Sequence, residues 1–276
     1  MTQQNPSVQN SSIQNMPIKN VSQAPARFSR VAVVTGATSG IGEATVRKFI
    51  QSGYGVIGNA RSAEKLKALA VELGDGFFGV AGDAGEASVV DQLLDAAQAY
   101  FARPADIVVV NAGRGLGGLL TEVDLAEYEQ VFKLNVLGAA LLMQKAAQAL
   151  VEKQAADFPR QAADIVVIGS VVGRNISPFS AVYGSTKFAV QALAEGLRRE
   201  VGKHGVRVTV IEPGIVVSGF QDAAGYDDHL VDKFNTDFGP LLYGEDIANA
   251  IDFVVSQSPH IHINELMIRP TRQDYP

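Results

Sequence analysis

The chain predicts an α/β domain built on a doubly wound parallel sheet, and three observations carry that prediction. From Arg30 onward, short apolar runs alternate with helical stretches of ten residues or more. The runs are apolar on both faces, as strands are when helices cover both sides of a sheet. The first run ends in a glycine-rich turn that opens a helix. The expectation is a single domain with a parallel sheet of about seven strands and helices on both faces.

The elements follow in order. Val31–Thr35 is the first strand and Ile41–Gln51, with helical spacing, the first helix. Tyr54–Gly58, Phe77–Ala81 and Ile107–Val110 are the next strands, separated by helices over Ala63–Leu73 and Glu86–Phe101. Leu125–Lys153 is a long helical stretch, expected to kink or split near Gly138. Ile165–Ile168 and Val206–Ile211 are strands flanking a helix over Ala181–His204. Glu245–Ser256 is a helix and Glu265–Ile268 the last strand. Residues 1–29 are dominated by Gln, Asn and Ser, and bury too little apolar surface to offset their ordering entropy. They are expected to form a tail outside a domain spanning 30–276.

Composition narrows the function. The 276 residues are 47% apolar and 19% charged, enough for one large domain with a substantial core. A net charge of -6 argues against a nucleic-acid partner. With no cysteine, thiolate nucleophiles, iron–sulfur clusters and cysteine zinc sites are excluded. His260-x-His262 is the one pair with metal-ligand spacing, and lacking a third ligand it reads as a surface pair, so no metal is expected. No apolar run approaches the length of about 20 residues that a spanning helix needs. The N-terminus lacks the charged and apolar regions of a secretory leader, so no membrane partner and a cytoplasmic location are expected.

The turn after the first strand reads Thr35-Gly36-Ala37-Thr38-Ser39-Gly40-Ile41-Gly42. Its glycines permit a tight turn, close backbone approach to a pyrophosphate, and close helix–strand packing. The helix that follows offers free N–H groups and a positive dipole end to the anion. Gly36, Thr38, Ser39, Gly40, Ile41 and Gly42 are therefore candidate cofactor contacts in a Rossmann-type domain.

The second strand ends in Gly58-Asn59-Ala60-Arg61-Ser62, with no carboxylate to pair with a ribose 2′-hydroxyl. Arg61 instead offers a guanidinium fork suited to a 2′-phosphate, with Ser62 as a further donor. NADP(H) is the expected cofactor.

The Gly-x3-Gly-x-Gly spacing, Asn111-Ala112-Gly113 after the fourth strand, Asn135, Ser170, Tyr183-x3-Lys187 and Pro213-Gly214 follow one another along the chain. Their order and approximate spacing resemble the short-chain dehydrogenase/reductase family over residues 30–276. Val110 stands where the family has a further asparagine. The resemblance implies a single-domain Rossmann fold and an NAD(P)-dependent oxidoreductase. It adds Asp83, Ala84, Asn111, Ala112, Gly113, Tyr183, Lys187, Pro213, Gly214 and Val216 to the cofactor contacts, Asp83 on the adenine side.

Tyr183 and Lys187 lie four apart on a helix and so share one face. A phenol is a poor base at neutral pH, and a nearby ammonium favours its ionised form. Tyr183 can then exchange a proton with a substrate oxygen, while Ser170 donates a hydrogen bond to that oxygen. By resemblance, Lys187 also holds the nicotinamide ribose, and Asn135 helps hold a water leading from Lys187 to solvent. The catalytic set is Asn135, Ser170, Tyr183 and Lys187.

On the substrate side, 215–242 is the natural lid, with Phe220, Tyr226, Phe234 and Phe238 able either to close over a substrate or to pack the lid down. Arg114 and Arg174 are positioned to hold a substrate carboxylate or to be solvated surface residues. Val210–Gly214 and Ile263–Thr271 resemble two groups of the family. These are the bacterial NADP-dependent 3-hydroxy acid dehydrogenases acting on serine and allo-threonine, and the clavulanic-aldehyde reductases. The resemblance implies a small alcohol or carbonyl substrate and a homodimer or homotetramer, formed through the helices that carry Gly138 and Tyr183. Two other readings stand beside this one. One is a nucleotide sensor on the same fold, which need not retain a complete catalytic set. The other is a 3-oxoacyl carrier-protein reductase, disfavoured by the acidic lid.

Overall fold

The structure, a computed structural model, describes residues 28–154, 157–176, 180–218 and 228–274. Seven strands form one parallel sheet: β1 (Val31–Thr35), β2 (Gly55–Ala60), β3 (Phe77–Ala81), β4 (Ile107–Val110), β5 (Ala163–Ile168), β6 (Val206–Pro213) and β9 (Glu265–Ile268), in the spatial order β3-β2-β1-β4-β5-β6-β9. The helices are α1 (Gly40–Gln51), α2 (Ala63–Leu73), α3 (Ala87–Phe101), α4 (Leu125–Phe132), α5 (Ala139–Gln154), α6 (Ala181–Val201), α7 (Asp228–Phe238) and α8 (Gly244–Val255). A two-stranded ribbon, β7 (Val216–Val217) with β8 (Leu242–Tyr243), lies apart from the main sheet. This is the doubly wound α/β architecture expected from the alternation of strands and helices.

Strand alternation sorts the core into two layers. Val31, Val33, Val108 and Val110 pack with Leu93, Leu142 and Val190 on one face, under α3, α5 and α6. Ala32, Val34, Val56 and Val109 pack with Val46, Leu66 and Ile251 on the other, under α1, α2 and α8. Because both faces are covered, β1, β2, β4, β5 and β6 are buried along their whole length. That is why they read as continuous apolar runs.

Local chemistry sets several boundaries. Ser62 caps α2 by accepting the Lys65 N–H, and Asp124 caps α4 by accepting that of Ala126. The long helical stretch is split as expected, by a π turn over Lys133–Gly138. Leu125–Gln154 as a whole is apolar and long enough to cross a membrane by length and composition alone, and half of its apolar window is buried in this molecule. β2 starts one residue later than expected and runs to Ala60, while Tyr54 packs its ring on Phe49. β6 extends to Pro213 because β9 pairs with it there. Residues 1–27 of the expected tail lie outside the described residues. Phe28 and Ser29 already belong to the body: Phe28 meets Phe101 edge-on at 5.3 Å, and the Ser29 N–H donates to the Gly53 carbonyl.

The N-terminal ends of the strands carry a buried ionic cluster. Arg207 grips Asp164 with two hydrogen bonds of 2.7 and 2.9 Å, and Arg30 bridges Asp164 and Asp106. Arg207 also donates to the carbonyls of Val255, at the end of α8, and of Gln257 and Ile261 beyond it. Every charge in the pair is partnered, which a buried ion pair requires. The opposite edge of the sheet is left for chemistry.

Candidate active site

The strand order reverses between β1 and β4, the topological switch point at which open α/β sheets bind ligands beyond their C-terminal ends. The loops leaving β1, β4, β5 and β6 at that edge carry the motifs singled out above.

The β1 loop is built for close approach. Gly36 and Gly40 have φ of +69° and +50°, a region that favours glycine. A Cβ at Gly42 would lie 2.1 Å from the Gly36 carbonyl oxygen and 2.6 Å from Asn111 Nδ2. Thr35 Oγ1 accepts the N–H groups of Asn111 and Ala112 at 3.0 Å, and Asn111 Nδ2 donates to the Thr35 carbonyl at 2.8 Å. The loops after β1 and β4 are thus tied together, and the Asn111 amide serves that tie. Ser39, at the N-cap of α1, makes no side-chain capping bond, so its hydroxyl does not occupy the first-turn donors. A glycine cradle against a helix start with open donors fits a dinucleotide pyrophosphate.

The neighbouring loops fit the rest of such a cofactor. Asn59, at the end of β2, is buried, with Nδ2 donating to the Val80 and Gly82 carbonyls, so Arg61 and Ser62 are the first polar side chains beyond it. Arg61 is exposed. Ser62 Oγ accepts from Lys65 and still has its proton to donate. Asp83 is exposed and accepts the Gly85 N–H, a turn-forming bond, and Ala84 behind it is buried. A cavity of about 310 Å³ opens against Thr38, walled by Glu43, Arg47, Lys65 and Glu72. Pro213 and Gly214 close β6, where the Gly214 N–H donates to the Ile268 carbonyl, and Val216 is buried just beyond.

The catalytic candidates come from three elements. Ser170 follows β5, and its Oγ accepts the Val172 N–H at 3.3 Å, which leaves the hydroxyl proton available. Tyr183 is half-buried in the first turn of α6. Lys187 is one turn further on and buried, with Nζ donating to the Ile168 carbonyl at 2.7 Å and lying 5.7 Å from the centre of the Tyr183 ring. Burial lowers its ammonium to about 8. Asn135 sits in the π turn. Its Nδ2 donates to Thr186 Oγ1, which in turn donates to the Tyr183 carbonyl. These contacts link Asn135, Tyr183 and Lys187 through one short stretch of α6.

Other expectations are redirected. Arg174 is not free for a substrate carboxylate: Nε donates to both Glu212 oxygens at 2.8 and 2.7 Å, and Nη2 pairs with Glu265. Arg114 differs, because its Nε is buried with no hydrogen-bond partner. Phe234 and Phe238 stack within α7, at 6.4 Å between ring centres, whereas Phe220 and Tyr226 lie outside the described residues. On the helices implied in a subunit interface, Ala139, Ala146, Ala147, Val190 and Ala194 face the core. His262, weighed as half of a metal pair, places Nε2 at 3.1 and 2.9 Å from the backbone nitrogen and oxygen of Val208. Sequence reasoning missed Thr186, Gln191 and Glu212: Thr186 meets Asn135, and Gln191 meets Ser170 and Glu212, only across 21 or more residues.

The family model for short chain dehydrogenase matches residues 30–228. The chain belongs to the short-chain dehydrogenase family. It is an NAD(P)-dependent oxidoreductase. A serine 3-dehydrogenase of Agrobacterium fabrum is 35% identical over 250 residues, 90% of this chain and 96% of that one. An uncharacterized oxidoreductase of Staphylococcus epidermidis is 31% identical over 243 residues, covering 87% and 97%. Among solved structures, the closed form of a serine dehydrogenase complexed with NADP+ superposes with a TM-score of 0.81 at 31% identity, over 89% of this chain and 96% of that one. A 3-ketoacyl-(acyl-carrier-protein) reductase from Brucella melitensis complexed with NADH gives 0.79 at 28% identity, over 89% and 98%.

Proposed function

We propose that this short-chain dehydrogenase uses NADP(H) to interconvert a small 3-hydroxy acid of the serine type and its 3-oxo form. The observation that carries the reading is the buried Lys187 against the Tyr183 ring, its ammonium tied to the Ile168 carbonyl two residues before Ser170. The glycine loop Gly36–Gly42, with Arg61 and Ser62, would hold NADP(H), which would supply a two-electron hydride carrier for the alcohol–carbonyl interconversion. Tyr183 takes the alcohol proton in oxidation and gives it back in reduction. Ser170 donates to the same oxygen and stabilises its negative charge. The Lys187 ammonium favours the Tyr183 phenolate, and its two remaining protons are available to ribose hydroxyls. Asn135 holds the loop after β4 against α6.

Arg61 and Ser62 are the proposed 2′-phosphate contacts, supported by the missing carboxylate at the end of β2. Arg114 is the proposed contact for the substrate carboxylate, since Arg174 is committed to Glu212 and Glu265. The segment 215–242 remains the proposed substrate lid, and residues 1–27 the proposed tail. A homodimer or homotetramer is supported by the exposed Leu125, Leu137, Phe188 and Leu193 on the α4–α5 and α6 helices. A cytoplasmic location belongs to the same proposal, because the enzyme draws on the cell's dinucleotide pool.

The test follows absorbance at 340 nm with NADP+ or NAD+ and a panel of L-serine, D-serine, allo-threonine, 3-hydroxybutyrate and 2-propanol. Turnover of the amino-substituted 3-hydroxy acids with NADP+, and a raised KM for them in Arg114→Met, supports the reading. Turnover of 2-propanol and 3-hydroxybutyrate alone overturns the substrate assignment.

A further inference from the structure

The loop that carries Ser170 is held at both ends by one buried carboxylate. At its start, the Ser170 backbone N–H donates to Gln191 Oε1 at 3.1 Å, and Gln191 Nε2 donates to Glu212 Oε1 at 2.8 Å. At its end, Arg174 Nε donates to both oxygens of the same Glu212. Glu212 is 1% exposed and immediately precedes Pro213 in β6, so its position is set by the sheet. Arg174 is steadied in turn by Glu265 of β9, the strand that pairs with β6. The Gln191 amide also presses close on the loop: a Cβ at Gly173 would stand 1.9 Å from Gln191 Oε1.

We propose that Gln191, anchored on the Glu212–Arg174 pair, is a positioning residue that fixes the Ser170 loop for the reaction. The inference rests on the role proposed above for Ser170. The amide suits the task chemically. Its oxygen accepts from the loop while its nitrogen donates to the carboxylate, so a buried N–H and a buried carboxylate are both satisfied by one neutral side chain. A carboxylate at 191 would face Glu212 with like charge, and an apolar residue would leave the Ser170 N–H without this acceptor and Glu212 with Arg174 alone. Since a hydroxyl that stabilises a developing oxyanion must be held within a fraction of an ångström, loosening this loop lowers turnover more than it lowers binding.

The experiment is a double-mutant cycle on the full chain. Wild type, Ser170→Ala, Gln191→Met and the double variant are compared with NADP+ and L-serine, with NADPH affinity read separately from fluorescence. Gln191→Met is expected to lower kcat about tenfold or more, with KM and the NADPH Kd within about twofold. In the double variant the Gln191 change is expected to cost nothing beyond Ser170→Ala, because it acts through that residue. Gln191→Asn, too short to bridge but no larger, serves if the Met variant does not fold. Unchanged kcat, or two effects that multiply, overturns the proposal. Amide exchange over residues 169–174 gives a reading independent of turnover. If L-serine is not turned over, or Ser170→Ala is fully active, the role assigned to the substrate or to Ser170 has failed, and exchange decides the clamp alone. Faster exchange at Ser170 in Gln191→Met supports the clamp, and unchanged protection overturns it.

Discussion

Asn135 forms a reciprocal pair with the backbone of Arg114: Oδ1 accepts the Arg114 N–H at 3.0 Å, and Nδ2 donates to the Arg114 carbonyl at 2.9 Å. With the second Nδ2 proton directed at Thr186, both amide protons are in use. The side chain can therefore meet a water only through the spare lone pair of Oδ1. Its main work is to join the loop after β4 to α6, directly behind Tyr183 and Lys187. Asn135→Ala leaves the two Arg114 backbone groups without these partners and is expected to cost about 1–3 kcal/mol of stability. A lowered urea midpoint checks this, and an unchanged midpoint contradicts it.

The β1 loop has no room for a side chain at Gly42, where a Cβ would press on the Gly36 carbonyl and the Asn111 amide. Gly42→Ala must displace backbone, a cost of about 1–3 kcal/mol that falls on the cofactor cradle. NADPH affinity, read by fluorescence titration, is expected to weaken about 10- to 100-fold.

Arg61 carries the proposed preference for a 2′-phosphate. Losing a charge-assisted contact costs about 1.5–3 kcal/mol, so Arg61→Ala is expected to raise the NADPH Kd about tenfold or more. The NADH Kd is expected to stay within about twofold, because NADH has no 2′-phosphate for the side chain to meet. Equal weakening of both cofactors would show that Arg61 does not select between them.

Lys187 links pH to stability. Burial lowers its ammonium from the ordinary 10.5 to about 8, so between those values the unfolded chain binds a proton that the folded chain does not. Folding stability then rises with pH across that window, and the increment is lost again as pH falls through about 8. The difference in unfolding free energy between wild type and Lys187→Met, from urea titrations of the cofactor-free proteins, is expected to grow by about 3 kcal/mol from pH 7.5 to 10.5. A difference that stays flat contradicts this account of Lys187.

The fold was legible because its signals are local. Alternating apolar runs and helices, and the glycine turn that opens α1, each lie within a few residues of what they control. Gly36 to Gly42, Tyr183 and Lys187 were legible for the same reason, since turn geometry and helical period act over short spans. Arg174 was not. Nothing near it in the chain shows that Glu212 and Glu265, 38 and 91 residues away, will claim its guanidinium. Gln191 was missed likewise, because an amide on a helix carries no pattern until the sheet brings Ser170 and Glu212 to it. Which faces of α5 and α6 meet the sheet was not legible either. Periodicity alone does not tell a helix face that meets the sheet from one that meets a second subunit.

The central claim, that Tyr183 moves the proton while Lys187 and the glycine loop hold the cofactor, is tested most directly by Tyr183→Phe. NADPH binding and NADP+-dependent turnover should be measured on the same preparation, with L-serine and the rest of the panel. NADPH affinity within about twofold of wild type, with turnover reduced at least about 100-fold, is the predicted result, since general acid–base catalysis contributes on that scale. Turnover near the wild-type rate in Tyr183→Phe would contradict the account.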